Sequence, residues 1–333
     1  MKNLSLVFLT LMILTSCQGI WMDSVPENDQ NEIVRDICNE IGSNYSFFEM
    51  KEIDWESVSN RYDSLSQSPM NNQNFFSLLS DLIAELDDGH ASLYAGFNTF
   101  LHYDVFLDYE SNFNFSFIQR QYLGEINEIG PFVYAKLNEN IGYLYYGSFS
   151  DNFTNDQLKN LGSYFSDCDG LIIDVRDNNG GAADNISQLM QFIVKDEQHF
   201  GNLVTRSNYE GKAVYTSEEI LIEPIGDKPL FKQEIAVLTN RGSYSSCNVF
   251  AAYMSQLPNV TLVGDTTGGG TGLAVGSVLA NGWKYRYSAG EFTLADGSSF
   301  ELGFAPDETV FTTAADEVNG KDMIIERALE VLK

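Results

Sequence analysis

Two kinds of residue in this chain have side chains suited to proton transfer and nucleophilic attack, and they lie far apart in the sequence. His90 closes the segment Leu86-Asp87-Asp88-Gly89-His90. An imidazole exchanges protons near neutral pH, so it is the usual general base. Ser243, Ser245 and Ser246 lie in Asn240-Arg241-Gly242-Ser243-Tyr244-Ser245-Ser246-Cys247-Asn248, after the apolar run Ile235–Leu238 and before Val249–Met254, which reads as a helix. A hydroxyl at a strand-to-helix turn meets free N–H groups and the positive end of the helix dipole, as acyl transfer requires. Serines at such a turn also serve simply as helix caps. Residue types alone do not select the nucleophile among them.

Two glycine-rich segments complete the set. Asp174-Val175-Arg176-Asp177-Asn178-Asn179-Gly180-Gly181 follows the apolar run Leu171–Val175. Adjacent glycines allow a turn that a Cβ would forbid and let N–H groups approach a developing oxyanion. Arg176 is placed to fix this loop through hydrogen bonds. An Asn-Gly turn without function accounts for the same residues equally well. The second segment, Val263-Gly264-Asp265-Thr266-Thr267-Gly268-Gly269-Gly270-Thr271-Gly272, suits a loop beside an active site. A phosphate cradle is its rival reading, but no Gly-Lys-Ser/Thr ends it, which argues against a nucleotide P-loop.

The elements that must position these residues show in the periodicity. Ile33, Ile37 and Ile41, then Trp55, Val58, Tyr62 and Leu65, then Phe75, Leu79, Leu82 and Leu86 recur at helical spacing, with Asp54 as a cap. They predict a small helical bundle over residues 31–91. Tyr103–Tyr109, Phe113–Ile118 and Phe132–Leu137 read as strands of a β-rich insert over 92–138. From Ile141 on, buried-type strands (Ile141–Tyr146, Leu171–Val175, Ile235–Leu238, Val260–Val263) alternate with helices (Ala183–Val194, Ser246–Leu257, Lys321–Leu332). This alternation predicts an α/β core over 92–333.

The chain has 333 residues and a formal net charge of −28. Such a charge disfavours nucleic acid, whose phosphates would be repelled. Lys2, the apolar run Leu4–Leu14 and Leu14-Thr15-Ser16-Cys17 read as a signal peptide over 1–17. The last four residues resemble a bacterial lipobox, which implies lipidation of Cys17, a tether over 18–30 and an envelope location facing periplasm or cell surface. The remaining cysteines, Cys38, Cys168 and Cys247, and the histidines His90, His102 and His199 are too scattered for a metal cluster. We therefore expect neither metal nor cofactor.

Taken in order, Asp87–His90, Asp174–Gly181, Ser245–Asn248 and Gly264–Gly269 resemble the motifs of the C-terminal processing peptidases and the tricorn core peptidase. Gly303-Phe304-Ala305-Pro306-Asp307, Gly320-Lys321-Asp322 and Ile53-Asp54-Trp55 extend the resemblance over most of the mature chain. It implies a crotonase/ClpP-like superhelix of ββα units. It places the nucleophile at Ser245 and oxyanion amides at Ser246 and at Gly180 or Gly181. Arg176, Asn178, Gly268 and Gly269 then support the loops. Gly270 stands where the processing branch carries its lysine, so the resemblance points to the tricorn-like branch, with His90 as base. There Gly89 replaces the supporting serine, Asn248 replaces a common glutamate, and Glu301 is near the place of the acidic partner. The stretch from His90 to Ile141 is too short for a PDZ domain. The resemblance implies serine-type hydrolysis of peptides or proteins. Gly89 and Asn248 motivate the alternative, a weak or inactive peptidase-like protein that binds peptides or hydrophobic ligands. Oligomeric state is not legible.

Overall fold

The computed structural model describes residues 29–102, 109–138, 140–226 and 229–333. The expected signal peptide, Cys17 and nearly all of the tether lie outside these residues, as does most of the expected strand Tyr103–Tyr109.

Three helices begin the described chain: α1 (Asp29–Asn44), α2 (Trp55–Leu65) and α3 (Asn72–Ala84). Asp54 caps α2 by accepting the Ser57 N–H at 3.1 Å, which satisfies one of the donors a helix start leaves open. The apolar stripes of α1 and α3 meet the inner face of a sheet. Ile33, Ile37, Ile41, Phe75 and Leu79 are buried in one cluster with Trp283, Tyr285 and Tyr287. Each such fully buried side chain contributes about 1.5–3 kcal/mol of transfer free energy.

The hairpin β1 (Ser92–Ala95) and β2 (Asn98–Leu101) follows. Phe113–Ile118, expected as a strand, is instead the short helix α4 (Phe115–Ile118), capped by Asn114 and continued by a π turn through Leu123. A short aromatic run has no decisive period of its own, and the Asn114 cap and tertiary packing decide its conformation. Phe117 and Ile118 are buried against β-strand residues such as Tyr143 and the C-terminal helix residue Ile324.

The remaining elements are β3 (Asn127–Ile129), β4 (Phe132–Lys136), β5 (Ile141–Tyr146), α5 (Asn155–Tyr164), β6 (Gly170–Asp174), α6 (Asp184–Met190), β7 (Gln198–Tyr209), β8 (Lys212–Ile222), β9 (Glu234–Thr239), α7 (Ser246–Met254), β10 (Val260–Gly264), β11 (Gly272–Val278), β12 (Lys284–Leu294), β13 (Glu308–Thr309), α8 (Ala314–Val318) and α9 (Met323–Val331). They form two sheets. One has the order β13-β10-β9-β6-β5-β4-β3, parallel from β13 to β5 and antiparallel beyond. The other is antiparallel, β2-β1-β12-β7-β8, with β11 beside β12.

The parallel register positions the motifs. Asp174 of β6 lies opposite Leu238 of β9, and Thr239 of β9 lies opposite Gly264 of β10. All three strands therefore end at one edge, and the loops after them emerge side by side. In open α/β sheets this carboxyl edge is where ligands bind. The strands are mainly apolar because helices and the second sheet cover them, and Leu171, Ile173, Ile235 and Val237 are buried.

Candidate active site

Ser245 occupies the corner between β9 and α7 with φ 56° and ψ −125°, a conformation unfavourable for a residue with a Cβ. Such strain costs about 1–3 kcal/mol and persists only where the surroundings enforce it. Here the Ser245 N–H donates to Gly269 O at 2.8 Å, and the neighbouring Tyr244 N–H donates to Asn178 O at 3.0 Å. The corner is thus clamped by both glycine-rich loops. Its effect is to turn the hydroxyl out at the start of α7.

His90 arrives from the opposite side. After α3 the chain turns at Asp87, whose φ is 44°. Asp88 then accepts the His90 N–H on its side chain at 2.8 Å and the Ala91 N–H on its carbonyl at 2.8 Å. This turn feeds β1 and aims the imidazole at the serine corner. His90 Nε2 lies 2.9 Å from Ser245 Oγ, although 155 residues separate them. The Tyr244 ring packs at 5.3 Å from the imidazole.

The other ring nitrogen is set differently from expectation. Within 4 Å of His90 Nδ1 the carboxylate among the described residues is that of Asp88, with Oδ1 at 3.6 Å. That is an ion-pair distance, longer than a hydrogen bond. Glu301, expected as the acidic partner, instead accepts the Thr271 N–H at 2.5 Å and the Thr271 hydroxyl at 3.0 Å on Oε2, with Lys51 Nζ 3.6 Å from Oε1. The correction has a local cause: the turn that carries His90 also carries Asp88, whereas Glu301 is tied to the loop after β10. Burial alone would raise the Asp88 pKa, but the His90 imidazole and Lys51 outweigh it and hold the carboxyl well below the usual range. Burial and the Asp88 charge together raise Glu301 to about 7 against the pull of Lys51 and His90.

Asp88 Oδ2, His90 Nδ1 and Ser288 Oγ are buried without a hydrogen-bond partner among the described residues. The last two converge beside Gly272. A Cβ there would lie 3.2 Å from His90 Nδ1 and would overlap Ser288 Oγ.

The two glycine amides differ in their partners. The Gly180 N–H is engaged with Asn178 Oδ1 at 2.9 Å, so the expectation that it faces a ligand is corrected. Asn178 also donates to Tyr146 O at 2.8 Å. The Gly181 and Ser246 N–H groups have no acceptor among the described residues. Ser246 Oγ donates to Gly181 O at 2.7 Å and draws those two residues together. Gly180 packs so closely on this corner that a Cβ would lie 2.7 Å from Ser245 Cβ.

Arg176 lies beneath, fully buried. Its guanidinium donates to Asp174 through Nε and Nη2, and to Asp322 Oδ2 through Nη1 at 2.9 Å. Asp322 also caps α9 by accepting the Ile324 and Ile325 N–H groups. Gly268 donates to Ser243 O at 2.9 Å.

Comparison with known proteins supplies the chain's family. The family model described as Peptidase family S41 matches residues 140–310, just over half of the chain. The chain belongs to peptidase family S41. The tricorn protease C1 domain model matches residues 26–84 of this S41 peptidase. A candidate peptidase of Parabacteroides merdae, known from its crystal structure, is 33% identical with TM-score 0.81, over 92% of this chain and 96% of that one. Mature CPAF is 13% identical with TM-score 0.66, over 92% and 97%, and shares the fold. The carboxy-terminal processing protease CtpB of Bacillus subtilis is 25% identical over 130 residues, 39% of this chain, and the match spans 25% of that protease's own length.

In this S41 chain Ser245, His90, Gly181 and Ser246 all line one open cleft of about 430 Å³, together with Tyr94 and Phe292. The other histidines lie elsewhere: His102 contacts Asp87 at 3.1 Å and His199 contacts Gly201 O at 2.8 Å. Asp88 was missed in the sequence although its signal was present, an acidic residue in an Asp-Gly-His turn. Ser288 carried none, because only the pairing of β11 with β12 brings it beside Gly272 and the imidazole.

Proposed function

We propose that this S41 peptidase hydrolyses peptide bonds through an acyl-enzyme on Ser245, with His90 as general base. The observation that carries the reading is the 2.9 Å approach of His90 Nε2 to Ser245 Oγ. Nε2 takes the hydroxyl proton as Oγ attacks the peptide carbonyl. The carbonyl oxygen becomes an oxyanion, met by the Gly181 and Ser246 N–H groups at the positive end of α7. The C–N bond breaks, and His90 returns the proton to the leaving amine. Water then enters and gives a proton to His90 as it attacks the ester carbonyl; the C–Oγ bond breaks, and His90 returns the proton to Ser245 Oγ as the acid leaves. Asp88 favours the tautomer with hydrogen on Nδ1 and stabilises the imidazolium formed in each half.

A fluorophosphonate probe and an unstructured protein substrate test this together. Labelling at Ser245, with hydrolysis lost in Ser245→Ala, is the expected result. Absence of both labelling and hydrolysis in folded protein overturns it and leaves the peptide-binding alternative.

We propose further that the protein is exported and anchored in a bacterial envelope by lipid on Cys17. The support is the segment Leu14-Thr15-Ser16-Cys17 after the apolar run from Leu4. Incorporation of labelled palmitate that Cys17→Ser abolishes is expected; incorporation that persists in that variant refutes the site.

A further inference from the structure

The cleft at Ser245 differs in charge from the rest of the molecule. The chain carries 47 Asp and Glu residues and 19 Lys and Arg, yet among the described residues no carboxylate lines this cleft. Apart from His90, its one ionisable cationic side chain among the described residues is that of Arg286.

Arg286 lies on β12, opposite Ser92 of β1 and Gly276 of β11. Ser92 also lines the cleft, and directly paired residues of neighbouring strands share a face of the sheet. Gly276 offers no side chain to cover the arginine, and a Cβ there would come only within 3.7 Å of Arg286 Cγ. Two residues along the same strand, about 7 Å away, Ser288 sits beside the imidazole. The arginine is therefore at the flank of the reacting centre, on the exposed part of its wall.

Among the described residues its side chain has no partner, unlike four other arginines. Arg35, Arg61, Arg176 and Arg327 each pair with a carboxylate. Arg286 has neither an ion pair nor a hydrogen bond from its side chain to any described residue. The walls near it are neutral and partly apolar, with Tyr94, Leu101 and Leu273. A guanidinium so placed offers a planar fork of N–H donors, the geometry that recognises a carboxylate with two parallel hydrogen bonds.

We propose that Arg286 is a specificity-determining residue that receives a substrate carboxylate, so that this cleft takes peptides bearing a negative charge close to the scissile bond. The carboxylate belongs either to an Asp or Glu side chain or to the peptide's own C-terminus. The local cation offsets the repulsion such a peptide meets from a protein of net charge −28. The inference rests on the reading of Ser245 as the nucleophile, but its test need not depend on turnover.

The probes are four fluorescein-labelled octapeptides of otherwise equal sequence: neutral with an amidated end, one internal Glu with an amidated end, neutral with a free carboxyl end, and one internal Lys with an amidated end. Binding is measured by anisotropy in the Ser245→Ala chain, so failure of hydrolysis leaves the measurement intact. The expected result is that one or both carboxylate peptides bind about tenfold more tightly than the neutral amide. Which one does so identifies the source. Arg286→Gln should bring that ratio to about one, and Arg286→Glu should reverse it in favour of the Lys peptide. A carboxylate preference that survives in Arg286→Gln, or no preference in the Ser245→Ala chain, overturns the proposal. A carboxylate preference without fluorophosphonate labelling of the native chain would support Arg286 while refuting Ser245 as nucleophile.

Discussion

Asp88 Oδ1 and His90 Nδ1 stand 3.6 Å apart, and Asp88 holds the backbone N–H of His90 at 2.8 Å with that same oxygen. One carboxylate thus fixes both the turn and the electrostatic environment of the imidazole. Asp88→Asn keeps the size and the oxygen that receives the N–H but removes the charge facing the ring. We expect kcat to fall by about 10²–10⁴ with little change in KM, as for loss of a group that acts on the imidazolium. Steady-state kinetics on one peptide checks it; unchanged kcat would remove Asp88 from the mechanism.

Glu301 gives a pH signature. Its carboxyl is raised from 4.5 to about 7, so the folded state binds this proton more tightly than the unfolded state does. Its contribution to stability is therefore full below about pH 4.5 and is lost as pH rises through about 7. Asp88 works in the opposite sense, because its lowered pKa adds stability above the usual carboxylate range that disappears on acidification. Urea midpoints at a series of pH values should show native stability declining relative to Glu301→Gln between about pH 4.5 and 7. Parallel curves for the two proteins would contradict the assignment.

Arg176 joins the Asp174 loop to the start of α9 through Asp322. Arg176→Met leaves two buried carboxylates without their cation and should cost about 3–5 kcal/mol, read from urea unfolding. Arg176→Lys should restore only part, since an ammonium cannot bridge both acids with a planar fork. Full restoration by lysine would show that charge alone matters there.

Gly269 and Gly282 share a φ of 83° but not their surroundings. A Cβ on Gly269 would overlap Glu301 O, whereas nothing lies within 4 Å of one on Gly282. Gly282→Ala should cost only backbone strain, about 1 kcal/mol. Gly269→Ala should cost more and also reduce hydrolysis, because Gly269 O holds the Ser245 N–H. Equal effects of the two substitutions on activity would detach this loop from the serine corner.

Much of the architecture was readable along the chain. Ile141–Tyr146 is a strand with those same ends, and the runs near Leu171, Ile235 and Val260 are strands within a residue or two. Buried parallel strands are continuous apolar runs, so local composition reveals them. Phe113–Ile118 departs from the strand its composition suggests, because a short aromatic run fits helix and strand equally and the Asn114 cap settles it.

By itself the sequence determined which residue types were available: an imidazole after an Asp-Gly turn, hydroxyls at a strand-to-helix corner, and glycine pairs after strands. Tertiary structure decided which of them meet. The common edge of β6, β9 and β10 brings three loops together, and the turn before β1 swings His90 onto Ser245. It also set Asp88 rather than Glu301 within 4 Å of the imidazole's Nδ1, and left the Gly181 N–H, unlike that of Gly180, without an acceptor among the described residues. Spacing along a chain prescribes local conformation, but hydrogen-bond partners far apart in sequence follow from strand register, which long-range packing sets.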